Sequence, residues 1–331
     1  MVGRGLRLVL CGGRGFFDCV QAFAAWQWYN YCASQVPVGK TILRINMDEM
    51  AVCVFQGGRR GNVFISRAAE RIQHATLNMR RTYMSFVAFI CDDPSVQPFL
   101  PQFVIANKHT LTEDELAAVQ ASCPRNVFVL RMKTAWVTNA VCEMMMRRLR
   151  VALAPFMRER QPILTMDTAS PHISSQVLWV CGGLGLWVVI VPALLTWLLQ
   201  PLDTDAFSLF KTRLQAEYLE AHIRAAGGVV GVRELIASIC VAVRYVLQGR
   251  RWADVFERDG FGSSQGSLGQ RVVSALQLDG PLAIPSHRPS LAQLKVCFPS
   301  NRIIPAASIW RAFDAPPAVV VALRLPRARR L

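Results

Sequence analysis

No Cys-x-x-Cys pair, no Cys/His cluster and no His-Glu-x-x-His run occurs in this sequence. Neither a structural zinc module nor a zinc-protease helix is therefore written into it. The ten cysteines, at 11, 19, 32, 53, 91, 123, 142, 181, 240 and 297, are scattered and read as buried, reduced thiols of an intracellular protein. Acidic residues are scarce as well: 22 Asp+Glu stand against 37 Lys+Arg, a formal charge of +15. Such a field attracts polyanions, nucleic acid first and an anionic membrane surface second. No apolar run of signal-peptide length opens the chain, since Leu8 to Cys11 is the longest early one, and no cleaved targeting segment is expected. No internal repeat is apparent.

Charge is also missing from Ile173 to Leu202, and residues 177–199 pass the length test for a membrane span. Gly182, Gly183, Gly185 and Pro192 punctuate that stretch, and its flanks lack basic anchors. It reads better as a buried helix, a turn and a buried parallel strand, Leu186 to Val191, whose continuous apolar run reflects helices on both faces.

What is present is enough for a core: 331 residues with 52% hydrophobic composition supply one large domain or two ordinary ones. Residues 1–38 show no clean period beyond a partly helical stretch near Val20 to Ser34. From Thr41 an apolar run leads to Asp48-Glu49, and Ala51 to Phe55 follows, read as strand, tight connection and second strand. A segment with Arg59, Arg60, Arg67, Arg71, Arg80 and Arg81 precedes a third strand, Tyr83 to Cys91. Short strands are predicted over Pro98–Ala106 and Asn126–Arg131, around a helix capped by Thr112 with Glu115 three residues on. Thr138 starts a helix to about Leu153, with Glu143 four residues from Arg147. Pro162 to Met166 enters Asp167 as a buried strand, a helix follows His172, and another runs from near Asp203 to about Arg224. Two more helices are expected from Arg233. The tail from Asp279 is Pro-rich, ends in Arg-Ala-Arg-Arg and is expected to be mostly irregular.

This order predicts an α/β fold: a mixed sheet of three antiparallel strands followed by alternating helices and parallel strands, with an α-helical C-terminal extension. The expected divisions are 1–38 unassigned, 39–225 core, 226–275 helical and 276–331 tail. Asp48, Asp167 and Asp203 sit at strand ends and a helix start, where open sheets leave room for ligands. Clustered carboxylates repel unless cations neutralise them, and all-oxygen sites suit magnesium or manganese. A metal pair about 3.5 to 4 Å apart drives in-line phosphodiester displacement. Three aspartates after apolar runs are equally read as caps and turn formers.

The wording around these acids is more specific. Asn46-Met-Asp48-Glu49, Leu164-Thr-Met-Asp167-Thr-Ala-Ser-Pro-His172 and Leu199-Gln-Pro-Leu-Asp203 with Phe207 and Lys211 resemble the three acid-bearing segments of the DDE superfamily endonuclease domain of pogo, jerky and centromere-protein-B-like, mariner-type transposases. Lys133-Thr-Ala-Trp136-Val-Thr138 resembles the family's tryptophan segment, and Trp252 to Phe256 with Gly260 its C-terminal helix pair. The likeness covers roughly Thr41 to Gly262. It implies a ribonuclease-H-like fold, Mg2+ or Mn2+ held by Asp48, Asp167 and Asp203, and DNA strand cleavage and transfer; the terminal Arg-Ala-Arg-Arg is compatible with a nuclear signal or a phosphate-binding arm, and a nuclear location is expected. The pattern departs at Asp92-Asp93-Pro94, Thr168 and Trp197. About forty residues precede the first acid segment, so no helix-turn-helix domain is expected there.

Around the acids, Glu49, His172 and Gln200 are expected as supporting residues, with Glu49 on the opposite strand face from Asp48. His172 would touch the scissile phosphate, orient a carboxylate, or serve as a cap or core residue. Asp203 is preferred to Asp205 because Gln200-Pro201-Leu202 precedes it. The six arginines, Lys133 and Lys211 would contact phosphates, or the arginines form a solvated loop. Trp136 would anchor the core or stack on an unpaired base. DNA is the expected partner, with no small-molecule cofactor and no membrane, and a homodimer is compatible. A catalytically silent DNA-binding protein and a membrane protein spanning 177–199 are the rival readings.

Overall fold

The computed structural model describes residues 14–53, 83–224, 230–262, 268–278, 283–299 and 306–314. Its centre is a six-stranded sheet of β1 (Thr41–Cys53), β2 (Tyr83–Cys91), β3 (Gln102–Asn107), β4 (Val127–Met132), β5 (Arg160–Met166) and β6 (Trp187–Ile190), ordered β4-β3-β2-β1-β5-β6. β1, β2 and β3 form an antiparallel meander, whereas β4 joins β3, β5 joins β1 and β6 joins β5 in parallel. These directions are those of a ribonuclease-H-like sheet with β4 added beyond β3. The parallel pairs need crossover helices. α2 (Glu113–Ser122) links β3 to β4, α3 (Asn139–Leu153) links β4 to β5, and α4 (Ser175–Gly183) links β5 to β6.

Local chemistry sets the helix starts. The Thr112 hydroxyl accepts from the Glu115 amide while Glu115 reaches back to the Thr112 amide, a complete capping box. Thr138 and Ser174 cap α3 and α4 in the same way, through the amides of Val141 and Val177. α3 buries Val141, Cys142, Met145, Met146, Leu149 and Leu153 along one stripe, and leaves Arg147 to pair with Glu143. β3 begins at Gln102, four residues later than expected, because Gln97–Phe99 forms a 3-10 turn.

After β6 come the short helix α5 (Thr196–Leu199), a π turn (Leu202–Ala206), α6 (Phe207–Arg224), α7 (Val232–Ala242), a second π turn (Val243–Leu247), α8 (Ala253–Arg258) and α9 (Gln270–Ala275). Phe210 on α6 stacks on Phe86 of β2, with ring centroids 4.7 Å apart. Among the described residues no helix is long and apolar enough to cross a membrane. Residues 177–199 divide into α4, β6 and α5, as the glycines and Pro192 suggested.

One expectation is corrected. Residues 41–53 are one long strand rather than two joined by a turn, so Asp48 lies within β1, beside Ala88 of β2. The helical stretch expected near Val20 to Ser34 lies in α1 (Arg14–Ser34), whose Trp26, Trp28 and Tyr29 are buried. The described residues of the C-terminal part include α10 (Leu291–Leu294) and α11 (Ala306–Asp314). α11 packs on α4, with Arg311 over the Trp179 ring, while Phe313 meets Trp187 of β6 and Trp310 sits between Trp28 and Tyr31 of α1.

Candidate metal and nucleic-acid site

One buried amide side chain organises the three segments that carry the acids. β1 and β5 pair in parallel with Asn46 beside Thr165, so two residues further along the register Asp48 stands abreast of Asp167. β5 ends at Met166 while β1 continues to Cys53, and the strands part where the acids sit. Asn46 Nδ2 donates to Thr165 O (3.0 Å) and Oγ1 (3.1 Å), and Asn46 Oδ1 accepts from the Leu202 amide at 2.8 Å. Thr165 Oγ1 in turn donates to Ile45 O at 3.1 Å. Asn46 is thus joined to the residues two before Asp167 and one before Asp203, and itself lies two before Asp48. Its buried polar atoms would be costly to leave unpaired, which fixes the arrangement.

The carboxyls of Asp48 and Asp203 share a hydrogen bond. Burial raises Asp48 well above the ordinary carboxylate range, and the charges of Asp203 and Asp167 raise it further. Asp203 is raised too, first by the protein packed about it, against hydrogen bonds from Thr196 and with Asp48 and the nearby charge of Lys211. Asp167 behaves differently. Burial alone would raise it, but the hydrogen bond and charge of His172 and the Ala169 amide hold it below its ordinary value. His172 is buried, and its Nδ1 lies 2.5 Å from Asp167 Oδ1. The contact with Asp167 is what orienting a carboxylate requires, and the burial is that of a core residue. Asp48 is 7% exposed, and its Oδ1 accepts from the Glu49 amide at 2.7 Å.

Glu49 leaves β1 on the other face and accepts a hydrogen bond from Ser85, while burial raises its carboxyl. Gln200 is fully buried, and its amide leans on the Asp48 carboxyl without an aligned hydrogen bond. Asp205 turns away to Arg258 at 3.1 Å, which leaves Asp203 as the acid facing Asp48. Asp92 and Asp93, where the family pattern departs, pair with Arg44 (2.6 Å) and Arg160 (3.1 Å) and tie the starts of β1 and β5.

A cavity of about 690 Å³ opens beside the acids, lined among others by Asp48, Asp167, His172, Lys133 and Trp136. Trp136 is 73% exposed, so its reading as a core anchor is overturned: it stands two residues before the Thr138 cap, outside the stripe that α3 buries, while Val137 turns inward. Lys133 lies on the cavity wall, and Lys211 lies on the Asp203 side, 5.8 Å above the Phe207 ring. Arg59, Arg60, Arg67, Arg71, Arg80 and Arg81 lie outside the described residues.

Among the described residues no three His, Cys, Asp or Glu side chains are grouped as a ready metal cage. Asp48 and Asp203 meet directly, whereas Asp167 is engaged by His172 and reaches the pair through its charge. The roles of Asn46 and Thr165 were not read from the sequence. The signal that could have found them is their shared offset, each two residues before an acid on adjacent strands.

No family model and no curated protein matches the sequence. Solved structures of similar backbone include a Mos1 transposase paired-end complex with the left transposon end, at 13% identity over 80% of this chain and 68% of that one with a TM-score of 0.38. The Mos1 mariner paired-end complex with Mn is 15% identical over 78% and 66%, at 0.39. A pre-cleavage Mos1 transpososome is 12% identical over 78% and 67%, at 0.37. Superpositions of that quality bear no weight on activity, and the fold stands on strand order and direction.

Proposed function

We propose that this chain is a DDE transposase-type nuclease domain that cleaves DNA phosphodiesters with divalent metal, using Asp48, Asp167 and Asp203. The observation that supports the reading is the crowding of the acids: two carboxyls share a hydrogen bond in a buried setting, with a third charge adding to their repulsion. Hard cations relieve such crowding, and a donor set made only of carboxylate oxygens fits Mg2+ or Mn2+ rather than zinc. In this reading Asp48 and Asp203 hold one ion, and Asp48 and Asp167 the other. When bound, the ions activate a water or a 3'-hydroxyl and stabilise the leaving oxygen.

The chain's own residues do the positioning. His172 fixes one oxygen of Asp167 and leaves the other for a ligand. Lys211 brings positive charge beside Asp203, Lys133 offers a phosphate contact across the cavity, and the Trp136 indole presents a face to a base. The overall charge of +15 favours a polyanionic partner.

Nicking of supercoiled plasmid tests the proposal. Wild-type protein nicks with Mg2+ or Mn2+, and Asp167→Asn loses nicking while keeping salt-sensitive DNA binding. Wild-type protein that nicks with neither ion removes the nuclease claim. One observation favours the alternative, a catalytically silent DNA-binding relic: among the described residues the acids are not grouped as a metal cage. The silent relic would bind DNA and show no stoichiometric metal binding.

A further inference from the structure

We propose that Asp259, acting with Arg271, is a positioning residue that grips the Asp203 turn through Thr204 and sets where the Asp203 carboxyl points. The inference rests on the reading of Asp203 given above, and extends the site to a part of the chain beyond α8.

Asp203 lies in a π turn, Leu202–Ala206. Such turns are wider than the α-helix, occur mostly as single insertions and recur at functional sites. This one is held from outside at both ends of Asp203. Before it, the Leu202 amide donates to Asn46. After it, Thr204 Oγ1 donates to Asp259 Oδ2 at 2.7 Å. Arg271 closes the grip, with Nη2 donating to Asp259 Oδ1 at 3.0 Å and Nη1 to the Thr204 carbonyl at 3.3 Å. Arg258 takes Asp205 at 3.1 Å. Of the two acids in the turn, only Asp203 is left to meet Asp48.

The platform behind the grip is tied to the strand that carries Asp48. The Asp259 carbonyl accepts from Trp26 Nε1 of α1 at 3.2 Å, and the Phe261 carbonyl accepts from Arg44 Nη1 of β1 at 2.9 Å. A closed circuit results, from β1 through Arg44 to the 259–261 corner, then through Thr204 to Asp203 and back to Asp48. Asp259 is only 1% exposed, and a charge buried so far is expensive unless it is fully engaged. A corner needing mere stability would be served by an apolar or amide side chain. An acid with one oxygen on the turn and the other on Arg271, which itself donates to the Thr204 carbonyl, instead serves geometry.

The test uses the full chain with Thr204→Val, which removes the hydroxyl at nearly constant shape, and Thr204→Ser, which restores it. Two quantities are read: hydrogen exchange of the amides of residues 202–206, and Mn2+ affinity by calorimetry. Thr204→Val is expected to exchange faster in that turn and to bind Mn2+ about tenfold or more weakly, the usual effect of removing a supporting hydrogen bond behind a ligand. Thr204→Ser is expected to match wild type in both. Asp259→Ala, folded by circular dichroism, is expected to repeat the Val result. Wild-type exchange in the turn of Thr204→Val overturns the grip. If wild type binds no Mn2+, the metal reading fails while the exchange comparison still decides the grip.

Discussion

Replacing Gly260 by alanine is expected to be among the most damaging single changes in the chain, although it adds one methyl group. Gly260 follows Asp259 with φ +89°, in the left-handed region that side chains rarely adopt. A Cβ there would stand 2.1 Å from Trp26 Nε1 and 2.5 Å from Trp26 Cε2, and Trp26 is buried with nowhere to withdraw. Three effects combine. Left-handed strain costs about 1 to 2 kcal/mol. Forcing an extra carbon into a packed core costs about 1 to 3 kcal/mol. Displacing the Trp26 indole from the Asp259 carbonyl loses about 1 kcal/mol more. The expected loss is therefore about 3 to 6 kcal/mol, a large fraction of ordinary domain stability. Gly39 supplies an internal control: it has φ +87° with no atom within 4 Å of an added Cβ, so Gly39→Ala carries the strain alone. Urea unfolding of both variants, compared at the midpoint with unchanged slope, separates packing from strain. If Gly260→Ala loses no more than Gly39→Ala, α1 does not pack on the 259–261 corner and the account of that corner is wrong.

Asn46→Leu should destabilise by about 2 to 4 kcal/mol, since it orphans the buried Leu202 amide and the Thr165 carbonyl loses its donor. A loss below about 1 kcal/mol in chemical denaturation would show that the three acid segments are not tied through this side chain. Burial pushes the Asp259 carboxyl up to about 7, outweighing the Thr204 hydrogen bond and the attraction of Arg271. A carboxyl raised in the fold is favoured protonated, so its contribution is full below about pH 4 and fades as the pH rises through 7. Wild type should therefore lose stability relative to Asp259→Asn across that window, by up to about 1.4 kcal/mol per pH unit, and a flat difference would contradict the assignment. Cys240 points its thiol at Cys123 Sγ, 3.6 Å away, which lowers Cys123 and raises Cys240. Iodoacetamide near neutral pH should label Cys123 ahead of Cys240 by mass spectrometry, and the reverse order would mean that the pair is not arranged this way.

The strands after Tyr83 and the capped helices were legible because alternation, Val/Ile/Phe runs and Thr caps are local signals. Asp48 was misplaced at a strand end because Asp-Glu inside a strand looks like a turn; the strand tolerates it where β5 has stopped and the carboxyl faces an opening. α1 carried no readable period because it is covered on several sides, with Trp28 under Trp310 and Phe298 and Tyr29 against Phe261. α11 was hidden by the proline content around it, and Trp310 and Phe313 become intelligible only against α1 and Trp187. The three acids could be nominated from motif wording, but the Asn46 tie and the Asp259 grip join residues more than fifty positions apart, beyond the reach of local pattern.

The acid triad meets its most direct test in Mn2+ titration of the wild-type chain followed by calorimetry and by the paramagnetic resonance of free ion, repeated with Asp48→Asn. Saturable, stoichiometric uptake by wild type that disappears in the folded variant is the predicted result. Absence of saturable uptake by wild type, or uptake indifferent to residue 48, would contradict a shared cation site at Asp48, Asp167 and Asp203.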